Sequence, residues 1–123
     1  MTTLEVVLLV TGDSAARHEF GGFVFRPLIA PSTGSTEIAL WTVDVPEGGD
    51  GTPHTASKEE VFYVLSGSVT IQGQTAGPGD AIVVPPNTEL SLTGGPARVV
   101  VATSVGITGT LADGQTITPP WSL

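Results

Sequence analysis

Pro46-Glu-Gly-Gly-Asp-Gly-Thr-Pro-His54-Thr-Ala-Ser-Lys-Glu-Glu60-Val-Phe-Tyr-Val-Leu-Ser-Gly67, followed by Gly79-Asp-Ala-Ile-Val-Val-Pro85-Pro-Asn87, is the part of the chain that decides its fold. Each half opens on glycine and proline, residues that supply the corners of tight turns, and then runs into Val, Ile, Phe and Tyr, which suit strands. His54 and Glu60 stand at the junctions between turn and strand. A strand alternates its side chains between two faces, so Glu60, Phe62 and Val64 share one face and Glu59, Val61 and Tyr63 the other.

The same grammar continues on both sides. Short β-rich runs at 5–10, 23–28, 37–45, 60–65, 68–72, 81–84, 89–92 and 98–105 are separated by turns such as Gly21-Gly22, Ser66-Gly67, Gly94-Gly-Pro96 and Asp113-Gly114. Many short strands at this spacing predict an all-β sandwich or barrel. No window carries a capped helical pattern, and 14–20 offers one helical turn at most. No repeat, linker or second domain is visible, so residues 1–123 are expected to form a single domain. The runs 60–65 and 98–102 are apolar on both faces, so both faces need cover. A homodimer is expected to provide it, the alternative being one of the chain's own arms.

Composition narrows the function classes. Twelve acidic against four basic residues give a net charge of −8, which offers nothing to a phosphate backbone or an anionic membrane surface. Nucleic acid and membrane are therefore not expected partners. The chain has no cysteine, which removes disulfides, thiolate metal sites and cysteine nucleophiles. The apolar run 6–10 lacks a preceding Lys or Arg and follows Glu5, unlike a secretory leader, so a cytoplasmic location is expected.

In both halves the spacing resembles the cupin superfamily, small RmlC-like cupins in particular. Gly48, His54, Ala56, Glu60 and Gly67, in the stretch 48–67, fall in register with the first cupin motif, G-x5-H-x-H-x3-E-x6-G. Gly79, Pro85, Asn87, Leu90 and Gly94, in the stretch 79–94, fall in register with the second, G-x5-P-x-G-x2-H-x3-N. The resemblance implies a double-stranded β-helix, or jelly-roll barrel. It also implies that His54 and Glu60 converge inside the barrel, close enough to hydrogen bond.

In metal-binding cupins two motif-1 histidines, the glutamate and a motif-2 histidine ligate one divalent ion. Here Ala56 and Leu90 stand at two of those positions, and neither carries a lone pair. With two donors left where a stable site needs three, no metal cofactor is expected. The alternative is a divalent metal held by His54 and Glu60 with His18, the chain's other imidazole. The expectation is a small-molecule cupin working by acid/base chemistry, such as isomerisation, dehydration or cyclisation, of the kind found in secondary metabolism. His54 and Glu60 would be catalytic, and Trp41, Ala56, Phe62, Val64, Leu90 and His18 would contact substrate. A non-enzymatic sensor or carrier is the alternative from another class.

Overall fold

The computed structural model describes residues 6–123. In chain order its strands are β1 (His18–Phe20), β2 (Phe23–Ile29), β3 (Ile38–Val45), β4 (Gly49–Asp50), β5 (His54–Ala56), β6 (Glu60–Ile71), β7 (Gln74–Ala76), β8 (Ala81–Val84), β9 (Thr93–Ser104), β10 (Gly109–Leu111) and β11 (Thr116–Ile117). Single 3-10 turns lie at Gly12–Ser14, Pro31–Thr33 and Pro120–Ser122. One large antiparallel sheet runs β1-β2-β3-β9-β6-β7, with β4 added on β9 and β8 on β6. A smaller sheet, β11-β10-β5, faces it. The architecture is all-β, an antiparallel jelly-roll barrel.

Its core follows from alternation. Along β3 the residues Ala39, Trp41, Val43 and Val45 point inward, and along β9 Ala97, Val99 and Val101 do the same. Val43, Val64, Val69, Val99 and Val101 are fully buried. Each such valine contributes roughly 1.5–2 kcal/mol by leaving water, and its β-branch suits the pleat. No helix among the described residues is long and apolar enough to cross a membrane.

Three local expectations change. Ser66-Gly67 is not a turn between two strands, because β6 continues through it from Glu60 to Ile71. Two irregularities in its pairing with β9, at Val64/Ser66 and Gly67/Val69, absorb the turn residues as bulges. Gly67 has φ +72°, and a β-carbon there would lie 1.9 Å from the Pro96 carbonyl oxygen, so the two strands cross where a side chain has no room. The run 89–92 forms no strand beyond a single bridge from Leu90 to His54. The strand expected at 5–10 is not formed over 6–10, which pairs with no sheet and leaves Val7 and Leu9 exposed; residue 5 lies outside the described residues.

The outward residues of β6 are not covered by the described residues of either arm. Tyr63 is 43% exposed and Leu65 48%, beside Val61 and, on β8, Val83. Among the described residues, cover for this outer face of β6 is therefore not supplied.

Candidate functional site

A cavity of about 150 Å³ opens inside the barrel between the two sheets. On the large sheet Phe62, Val101 and Trp41 sit side by side across β6, β9 and β3 and form one wall. The opposite wall comes from β5 and its neighbours. His54 exchanges both backbone hydrogen bonds with Leu90, at 3.0 and 2.8 Å, and pairs across to Leu111 on β10. Leu90, His54 and Leu111 therefore stand in a row, and all three line the cavity.

The turn before Leu90 is fastened to the same strand. The Asn87 N–H donates to the Ala56 carbonyl at 2.7 Å. Asn87 has φ +58°, in the left-handed region, where asparagine is among the few residues besides glycine that settle readily. The motif glycine expected at this position is thus replaced by a residue that keeps the backbone shape.

Glu60 is the singular group of the wall. It is only 6% exposed, begins β6, and pairs in register with Val84 and Thr103. Its Oε1 is buried without a hydrogen-bond partner. Burial pushes its carboxyl up to about 7, because the charged form loses its water and gains no cation. Near neutrality Glu60 is thus poised between a proton donor and a carboxylate.

His54 is oriented by its own turn. Its Nδ1 lies 2.8 Å from the Thr52 carbonyl oxygen, which can only accept, so Nδ1 carries the hydrogen. In the neutral ring the lone pair then resides on Nε2, the atom free to act as a base. No hydrogen bond or ion pair joins His54 to Glu60 among the described residues, which corrects the expected direct contact. The bond to Thr52 holds the ring instead.

Of the residues singled out from sequence, Trp41, His54, Ala56, Glu60, Phe62 and Leu90 all line the cavity. Val64 does not: it is fully buried one step further along β6, packed in the core. His18 is not in the wall either; its ring centroid lies 6.2 Å from that of Trp121 at the mouth. Trp121 itself stacks on Phe25 with centroids 3.8 Å apart and planes 7° from parallel. Asp50, Thr52 and Thr108 add polar lining that the motif spacing did not single out. Asp50 lies within the first motif's stretch, and its place between Gly49 and Gly51 was the available signal.

The donor set does not fit the metal of metal-binding cupins. Ala56 and Leu90 present carbon where two imidazoles would be needed, and both side chains face the cavity. Among the described residues no three His, Cys, Asp or Glu side chains come together as a ligand group. The set His18, His54 and Glu60 is accordingly not assembled, because His18 stays beside Trp121.

Comparison with known proteins agrees with the barrel. The chain resembles the polyketide cyclase RemF from Streptomyces resistomycificus at 26% identity and TM-score 0.67, over 83% of this chain and 80% of that one. It resembles KdgF from Halomonas sp. at 21% identity and TM-score 0.66, over 78% and 93%. An RmlC-like cupin from Shewanella frigidimarina NCIMB 400 gives 20% identity and TM-score 0.66, over 78% and 88%. The last two likenesses show the fold alone. No curated protein matches the chain. The family model for the cupin domain matches residues 41–103, half of the chain, including His54 and Glu60, so the chain belongs to the cupin family.

Proposed function

We propose that the chain binds a small, largely apolar organic molecule in the barrel and catalyses proton transfer on it without a metal. Isomerisation, dehydration and cyclisation fall within that range, and a step of secondary metabolism is the setting we favour. The observation that carries the reading is the buried, unpartnered Glu60 carboxyl facing an apolar cavity that His54 also lines. An unpaired buried carboxyl costs stability, and a group kept at such cost with a proton affinity near neutrality suits general acid/base work. His54 Nε2 takes the proton and Glu60 delivers or holds one, acting as separate groups on the ligand. The likeness to a polyketide cyclase supports cyclisation within this range.

The test begins with compounds retained by the purified chain from a cell extract and identified by mass spectrometry. In deuterium oxide the wild-type chain is expected to exchange deuterium into its retained compound. His54→Ala and Glu60→Gln should each slow that exchange by about 10²–10⁴-fold. If both variants fold and exchange at the wild-type rate, the acid/base reading fails. The missing His54–Glu60 contact favours a second reading, a binding or sensor cupin; retention of a compound with no exchange by any variant selects it.

We also propose that the chain works as a homodimer through the outer face of β6 and β8. Val61, Tyr63, Leu65 and Val83 form the exposed apolar surface that supports this, with Val61 and Val83 directly paired. Sedimentation should show a dimer that Tyr63→Lys dissociates. A monomeric wild-type chain would contradict it.

A further inference from the structure

The make-up of the cavity wall restricts what fills it. The chain has four Phe, two Trp and one Tyr. All but Tyr63 line this one space: Phe20, Phe23, Phe25, Trp41, Phe62 and Trp121. No lysine or arginine is part of the wall. Arg26 and Arg98 are engaged by Asp44 on the outer face, and Arg17 lies 3.8 Å from Glu19. The ionisable groups that face the space are Asp50, His54 and Glu60. An anionic ligand would lose its water there without meeting an arginine or lysine, in a chain of net charge −8.

Size and polarity add two limits. The volume, about 150 Å³, equals that of apolar cavities that take up benzene. Buried polar atoms are almost always hydrogen-bonded, so the bare Glu60 Oε1 calls for a polar atom on whatever occupies the cavity. Aromatic walls favour flat π-faces over saturated rings, through offset-stacked and edge-to-face contacts.

Building on the acid/base reading above, we propose that the ligand is an uncharged single-ring aromatic or conjugated compound bearing a hydroxyl or carbonyl oxygen. Its ring lies against the aromatic wall, with its oxygen directed to the Glu60 carboxyl. Any larger substituent extends out past Trp121.

Isothermal titration of the full chain with phenol, benzoate and cyclohexanol tests charge and flatness separately. Phenol should bind at least tenfold more tightly than either of the others. Trp121→Leu should weaken phenol binding several-fold and cyclohexanol binding by less, because only phenol loses a π-face contact. Benzoate or cyclohexanol binding as tightly as phenol overturns the proposal, as does failure of phenol to bind in the millimolar range. These titrations do not involve proton exchange. Selective phenol binding without exchange would retain this ligand class and refute the catalytic reading, whereas exchange on an anionic or saturated compound would do the reverse.

Discussion

Two carboxylates on the large sheet meet opposite fates. Asp44, on the outer face of β3, accepts from Arg98 Nε at 2.8 Å and from Arg26 as well. The Arg98 hydrogen bond leads in holding its carboxyl below the ordinary value, against a partial opposing effect of burial. Glu60, on the inner face of β6, has no such partner and is pushed the other way. The chain has four basic residues and places two of them around one acid at the surface, leaving none inside the barrel. Pairing marks a carboxylate that holds strands together. Isolation in an apolar wall marks one whose proton is held up to near neutrality.

The larger test of this contrast is pH. Glu60 has an ordinary value of 4.5 and a folded value of about 7. Between those limits the folded chain keeps a proton that the unfolded chain releases, so stability is highest below the lower limit and falls as pH rises through the upper one. The loss amounts to roughly 3 kcal/mol. Glu60→Gln should abolish that slope, so urea unfolding of the two chains at pH 5 and pH 8 should diverge by about this amount. Parallel curves would show that Glu60 is not isolated.

Asp44 should give a smaller effect of opposite sign. Its folded value is lowered, so its contribution is present above the ordinary carboxylate range and disappears as pH falls through the folded value. Asp44→Asn leaves two guanidinium groups without their shared partner and should cost about 1 kcal/mol at neutral pH, less in high salt because the cluster is partly exposed. A difference that survives both acid and high salt would mean that packing, not charge, ties these strands.

How far the sequence discloses this molecule depends on the range of each interaction. The resemblance of the two motifs placed His54 and Leu90 in one wall although they are far apart in sequence, and they are bonded neighbours. Asn87 holds its turn in the glycine conformation by local chemistry. Ser66-Gly67 misled because the same residues build a hairpin turn or a bulge, and the partner strand β9 decides between them. The run 6–10 has the composition of a strand, yet composition does not supply an edge to pair with. The stack of Trp121 on Phe25 joins the chain's end to its second strand, and no local rule reaches that far. The contact between His54 and Glu60 did not form, although the Thr52 carbonyl engages only Nδ1 of the ring and leaves Nε2 open.

The placement of the two indoles gives the chain a built-in optical probe. Trp41 and Trp121 are its whole complement, and both face the cavity, one deep and shielded, the other at the entrance against Phe25. Emission excited selectively at tryptophan, which leaves out the outer-face Tyr63, therefore reports on the cavity alone. A compound entering the barrel should alter the deep indole's quenching and the outer indole's exposure to solvent together, so occupancy can be followed in an unlabelled wild-type chain.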